Sequence, residues 1–265
     1  MGMLERVRVV ITGATSGLGA AMADALLDQG ATVAFASRST PRLRAAVDER
    51  RARGLAAEAL PIDVRDPGSV RAAAERAAHV LEGVDVVVNN AGIGMRRVNP
   101  RFFDTPMPFF EVPVAGFTDV VATNLTGYFL VAQAFSRVFL EAGKGRFINV
   151  SMNHETMRRR GFVPYGPARA GSEALSRIMV EDLRPYKIAV NTLLPGGATA
   201  TGMIPDELGE AARKRLLPAS VMGPPAVFLC SEEAEGVTGE RIVAKDFDQW
   251  LDEFHARSAG ERTET

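Results

Sequence analysis

The strand pattern Val7–Ile11 runs without a break into Thr12-Gly13-Ala14-Thr15-Ser16-Gly17-Leu18-Gly19, and that turn opens directly into the helical pattern Ala20–Gln29. Little else in the chain constrains its fold as tightly. Glycine lets the backbone turn sharply and come close to a ligand. A helix starting there points its free N–H groups and the positive end of its dipole into the turn. Strand, glycine turn and helix in that order predict a pyrophosphate-binding unit, with Gly13, Thr15, Ser16, Gly17, Leu18 and Gly19 as cofactor contacts. No Gly-Lys-Ser/Thr follows, which excludes a P-loop. A turn of purely structural purpose is the alternative.

Apolar, β-branched runs recur at Thr32–Ala36, Ala59–Ile62, Val84–Val88, Arg146–Val150, Ile188–Leu194 and Arg241–Ala244. All but the last read as strands covered on both faces. Helically spaced segments alternate with them at Pro41–Arg53, Ser69–Leu81 and Phe117–Glu141. The pattern predicts an α/β chain: a single-domain, Rossmann-like, doubly wound parallel sheet of about seven strands with helices on both faces. That domain is expected to span residues 1–250, with 251–265 a charged, frayed tail.

The 265 residues carry 31 Lys+Arg against 32 Asp+Glu, a formal charge of −1, which gives no reason to expect nucleic acid or an anionic membrane as partner. No apolar run approaches about 18 residues, and the first strand starts at once without a small-residue cleavage pattern. The single Cys230 cannot form an internal disulfide. A cytoplasmic protein is expected. His79, His154 and His255 lie far apart, so no metal site is expected. Residues 93–116 hold Pro100, Pro106, Pro108 and Pro113 among Phe102, Phe103, Phe109 and Phe110. They form either an ordinary packed loop or one wall of a substrate site.

Nicotinamide-site strands that take NAD commonly end in an acid that accepts hydrogen bonds from the ribose. Here the second strand ends Ser37-Arg38-Ser39, with no acid. A guanidinium suits a 2′-phosphate, so NADP(H) is expected over NAD(H). An exposed arginine at a helix start is the alternative.

Further markers follow in order: Asp63-Val64 after the third strand, Asn89-Asn90-Ala91-Gly92 after the fourth, Asn124 in a later helix, Ser151 after the fifth, Tyr165 with a basic residue four on, and Pro195-Gly196 after the sixth. Over residues 7–245 the chain resembles the short-chain dehydrogenase/reductase family. The resemblance implies that Asp63 and Val64 border the adenine and that Asn90, Ala91 and Gly92 shape the cofactor cleft. Thr199 or Thr201 would reach the nicotinamide amide, next to Pro195 and Gly196. Tyr165 would be the general acid/base, Ser151 the polariser of the substrate oxygen and Asn124 the support of the proton relay. Arg169 would hold the cofactor ribose and supply the cation that stabilises a phenolate. Family members often form dimers or tetramers through helices corresponding to Phe117–Glu141 and Pro167–Leu183. A homodimer or homotetramer acting on a small carbonyl or alcohol is therefore expected, with residues 199–217 as a lid.

The chain departs from the family pattern in three places. Arg169 stands where lysine is usual, and arginine essentially cannot release a proton. Only four of the 31 basic residues are lysine, so drift is one explanation. Ser151 is 14 residues before Tyr165, whereas the usual serine is 13 before, where this chain has Met152. Either the loop is longer by one or the serine role is lost. His154 and Arg158-Arg159-Arg160 fill the interval; the arginines are a solvated run or, with Arg96 and Arg97, a preference for an anionic or polyoxygenated substrate. Halohydrin dehalogenases use Ser, Tyr and Arg on this fold without a nicotinamide, but lack the glycine turn kept here. The leading expectation is an NADP(H)-dependent oxidoreductase. A non-redox enzyme using Ser151, Tyr165 and Arg169 and a catalytically impaired NADP(H)-binding regulator remain as alternatives.

Overall fold

The computed structural model describes residues 2–38, 40–205 and 208–263, with side chains as far as Arg257. Seven parallel strands, β1 (Arg8–Thr12), β2 (Thr32–Ser37), β3 (Ala57–Pro61), β4 (Val86–Asn89), β5 (Gly145–Val150), β6 (Ile188–Leu194) and β7 (Arg241–Val243), form one sheet in the order β3-β2-β1-β4-β5-β6-β7. Register places Val10 beside Ala34 on one side and Val87 on the other. Strand order reverses between β1 and β4, and in open sheets of this kind ligands bind at such a reversal point, outside the carboxyl ends of the strands.

Both faces are covered, which is why the strands read as unbroken apolar runs. Val9 and Ile11 point to one layer, with helices α1 (Gly17–Asp28) and α2 (Pro41–Ala52), α9 (Gly223–Cys230) and α10 (Phe247–Thr263) contributing Met22, Leu43, Phe228 and Phe247. Val10 points to the other, where α3 (Pro67–Val80), α5 (Gly127–Ala142) and α7 (Tyr165–Leu183) supply Ala73, Phe135, Phe139 and Met179.

Two expectations change. The helical pattern Phe117–Glu141 is three pieces: α4 (Val114–Val121), one π-helical turn at Ala122–Thr126, and α5. Together, Val114–Ala142 is long and apolar enough to cross a membrane by length and composition. Its inward stripe of Val120, Val131, Phe135 and Phe139 is buried within the domain. The tail at 251–265 does not begin to fray at its expected boundary. Helix α10 continues to Thr263, and Trp250, Leu251 and Phe254 pack on the core, with Trp250 stacked on Phe254 at 5.4 Å. The apolar spacing at 247, 250, 251 and 254 is helical, so the amphipathic stripe continues past residue 251 to Phe254.

Candidate active site

The glycine turn follows β1 at the point where strand order reverses. Gly13 and Gly17 have φ of +70° and +57°, the left-handed region that a side chain disfavours. A Cβ on Gly19 would lie 2.5 Å from both Asn90 Nδ2 and Gly13 O. Asn90 Nδ2 donates to Thr12 O at 2.8 Å, and Thr12 Oγ1 accepts from the backbone N–H of Asn90 and Ala91 at 2.9 and 3.0 Å. These bonds tie the turn after β1 to the segment after β4. Helix α1 starts behind extended Ser16, whose hydroxyl makes no capping bond, so its first N–H groups are not served by that cap. Thr15 and Leu18 are half-buried beside it. The donor set suits a pyrophosphate.

Around the adenine end, Ser37 closes β2 and Arg38 is exposed. Ser39 lies outside the described residues. Asp63 accepts from Arg65 Nε and Nη2 at 2.9 and 2.6 Å, and Arg65 holds the carboxyl at about 2, with Arg38 adding a smaller effect. Val64 is buried against Gly127, where a Cβ would come within 2.9 Å of Val64 Cγ2.

Asn124 sits in the π-helical turn, fully buried, with its carboxamide closing a two-way bond to Ile93: Oδ1 accepts from N and Nδ2 donates to O, both at 2.9 Å. A π-bulge re-aims one residue of a helix, here toward the segment after β4. Helix α7 presents Tyr165, Arg169 and Glu173 at intervals of four, one above the next on one face. Arg169 is 2 % exposed; Nη1 donates to Tyr128 Oη at 2.5 Å and Val150 O at 2.9 Å, and the guanidinium lies 5.4 Å from the Tyr165 ring centroid. Burial opposes its charge, but Tyr128 and Tyr165 outweigh that and raise its pKa. A Cβ on Gly92 would fall 2.5 Å from Arg169 Nη2. Asn124, Tyr165, Arg169 and Gly92 therefore lie together around one guanidinium.

Ser151 does not join them. Its hydroxyl donates to Glu173 Oε1 at 2.5 Å, while Met152 packs against the cluster of Met95, Phe102 and Phe162, against which Tyr165 also packs. Glu173 also receives His154 Nε2 at 2.9 Å and Arg241 Nε at 3.2 Å, and Arg241 Nη2 reaches Met152 O at 2.9 Å. Burial works against ionisation of Glu173, and the bonds from Ser151, Arg241 and His154 more than offset it, so its pKa is lowered. Tyr128 and Glu173 escaped the sequence reading, although each lies four residues after a nominated residue, Asn124 and Arg169.

Beyond β6, Pro195 and Gly196 are buried, and Gly196 has φ +91° with no room for a Cβ beside Lys245 and Val243. Asn153 Nδ2 donates to Gly196 O at 3.0 Å. Thr199 is buried and its hydroxyl donates to Gly197 O, whereas the Thr201 methyl lies 3.3 Å from a Cβ built on Gly17. Of the two threonines, Thr201 is thus the one against the glycine turn. Ala200 and Leu217 pair through the backbone at 2.9 Å, and Arg96 Nη1 donates to Ile204 O at 3.1 Å, joining residues 199–217 to the 93–116 loop. In that loop Met95 and Phe102 are buried against Phe162, while Phe109 and Phe110 stand exposed. Arg159 lies over Phe103 and Phe162 at 5.7 and 5.5 Å. Among the described residues, no cluster of three metal-ligating side chains is present.

Sheet order, reversal point and glycine turn define a Rossmann-like domain. Residues 7–210 match the short chain dehydrogenase family, and the chain belongs to that family of oxidoreductases. It is 31% identical over 243 residues to the 5-keto-D-gluconate 5-reductase of Escherichia coli, covering 88% of this chain and 92% of the relative. Among solved structures, a gluconate 5-dehydrogenase from Burkholderia cenocepacia in complex with NADP and tartrate superposes with a TM-score of 0.81 at 26% identity, over 93% of this chain and 96% of that one. The 3-ketoacyl-(acyl-carrier-protein) reductase of Brucella melitensis, complexed with NADH, superposes with a TM-score of 0.79 at 28% identity, over 91% of this chain and 97% of that one.

Proposed function

We propose that this protein is an NADP(H)-dependent oxidoreductase that interconverts a small carbonyl and its alcohol, with Tyr165 as general acid/base. The observation that carries this is the Arg169 guanidinium, buried and laid along the Tyr165 ring. Such a cation favours a phenolate, so Tyr165 can give its proton to a developing alkoxide and take one back in oxidation. NADP(H) supplies or accepts the hydride when bound. The Gly13–Gly19 turn would hold its pyrophosphate, Arg38 its 2′-phosphate, and Asn90 to Gly92 with Thr201 would line the cleft. Asp63 and Val64 would border the adenine; Asn124 would keep the helix turned toward Ile93. Residues 93–116 and 199–217 would roof the substrate and exclude water.

Relatives named for keto-gluconate reduction, and a neighbour holding tartrate, support a polyoxygenated acid as the first class to try. The test is to titrate NADPH and NADH by fluorescence, then follow absorbance at 340 nm with 5-keto-D-gluconate, 3-oxoacyl thioesters and simple ketones. NADPH binding with turnover of at least one carbonyl supports the reading. Turnover that proceeds without cofactor overturns it.

Met152 favours one second reading, an NADP(H)-binding regulator with a weakened reaction centre. It predicts tight NADPH binding and no turnover. The non-redox reading loses its third member, since the Ser151 hydroxyl is bound to Glu173.

Val114, Phe117, Phe129 and Leu140 on the α4–α5 run and Ile178 on α7 are exposed. We infer a homodimer or homotetramer that covers them. Light scattering after gel filtration at micromolar concentration should give two or four chain masses; one chain mass overturns this.

A further inference from the structure

Arg169 is a buried cation, and among the described residues no carboxylate is paired with it. Buried charges are ordinarily matched by an opposite charge, because desolvation is costly. Here the groups raising its pKa are two phenols, Tyr128 and Tyr165. Tyr128 comes from α5, one turn beyond Asn124, and is 2 % exposed. Its hydroxyl accepts from Arg169 Nη1 at 2.5 Å and donates to Val150 O at 3.1 Å, while Nη1 also donates to Val150 O at 2.9 Å, closing a triangle of bonds. The guanidinium carbon is 5.1 Å from the Tyr128 ring centroid and 5.4 Å from that of Tyr165, so both phenols contact one cation. Arg169 Nε, equally buried, has no hydrogen-bond partner among the described residues.

A planar guanidinium can stack on aromatic rings while its N–H fork bonds in-plane; an ammonium is a compact, strongly hydrated point charge that cannot do both. Gly92 leaves the space that Nη2 occupies. Drift from lysine would not explain a neighbouring tyrosine whose hydroxyl and ring both engage the arginine.

We propose that Tyr128 is a positioning residue of the reaction centre: its hydroxyl and ring hold the Arg169 guanidinium against Tyr165, and this makes arginine the cation the site requires. The inference rests on the oxidoreductase reading above. Tyr128 keeps the arginine from rotating away from Tyr165, so losing its hydroxyl disturbs proton transfer more than cofactor binding. Of the chain's three tyrosines, Tyr186 is exposed and plays no part.

The test compares wild type, Tyr128→Phe, Arg169→Lys and the double variant. Each is assayed with NADPH and the carbonyl that wild type reduces fastest, from pH 5 to 10, alongside NADPH affinity by fluorescence. Tyr128→Phe should keep NADPH affinity within about threefold, lower kcat about tenfold and displace the pH profile. Arg169→Lys should lower kcat about a hundredfold, and the double variant should be no worse than Arg169→Lys, because the two residues act as one unit. An active wild type beside a Tyr128→Phe variant with unchanged kcat and pH profile overturns this inference alone. If Tyr128→Phe does not fold, Arg169→Lys decides: full activity overturns the proposal, and loss with NADPH binding retained supports it. A wild type that binds NADPH yet reduces no carbonyl overturns the oxidoreductase reading, and this inference with it.

Discussion

The Ser151 hydroxyl donates to Glu173 Oε1 at 2.5 Å, inside a network that also contains His154 and Arg241. The serine resembling the family's substrate polariser is thus a structural tie between the end of β5 and α7. Met152, the next residue, packs against the same Met95, Phe102 and Phe162 cluster as Tyr165. Ser151→Ala should therefore lower stability by roughly 1–3 kcal/mol, the cost of a lost bond to a charged group, while kcat changes less than about threefold. Met152→Ser should raise kcat about tenfold or more by restoring an oxygen-polarising donor. Thermal melts and steady-state kinetics on the two variants separate the roles.

Glu173 is held below its ordinary pKa, so it stabilises the fold above the unfolded carboxylate value of about 4.3. That stabilisation is lost as pH falls through the lower, folded value. Wild type should melt progressively earlier below about pH 4.5. Glu173→Gln should melt lower than wild type at pH 7, by roughly 2–3 kcal/mol, and show a flatter acid limb. Melting curves from pH 3 to 7 read both effects.

Arg38 follows the last residue of β2, where an acid would select NAD. Losing a charge-assisted contact of about 1.5–3 kcal/mol should weaken NADPH about 10- to 100-fold in Arg38→Ala and leave NADH within about threefold. Fluorescence titration of both cofactors checks it; equal effects on the two would remove Arg38 from the 2′-phosphate site.

Gly19 admits no side chain, since a Cβ would meet Asn90 Nδ2 and Gly13 O at 2.5 Å. Gly19→Ala should destabilise by roughly 1–3 kcal/mol and weaken NADPH about tenfold or more, because Asn90 then lets go of the turn it braces. Melting and titration on one sample test both halves.

The layered sheet was readable because buried parallel strands give unbroken apolar runs, and the glycine turn because only a close backbone approach needs its residues. Helix ends shifted by a few residues where tertiary packing, as at Trp250 and Phe254, extended them. Asn124 could be nominated from the resemblance, but not the π-helical turn that aims it, since no local residue preference encodes that turn. The resemblance points to Ser151 as well, but its direction depends on Glu173 and Arg241, which lie 22 and 90 positions away along the chain. Nothing local to Tyr128 marks its role, because Arg169 reaches it from α7, 41 positions further along the chain.

The central claim, that Tyr165 exchanges a proton with the substrate oxygen beside bound NADP(H), is tested most directly by Tyr165→Phe. That variant keeps the ring over Arg169 and removes only the hydroxyl. With NADPH and the carbonyl that wild type reduces fastest, kcat should fall about 10²- to 10⁴-fold while NADPH affinity stays within about threefold. A Tyr165→Phe enzyme that oxidises NADPH at the wild-type rate would contradict the account.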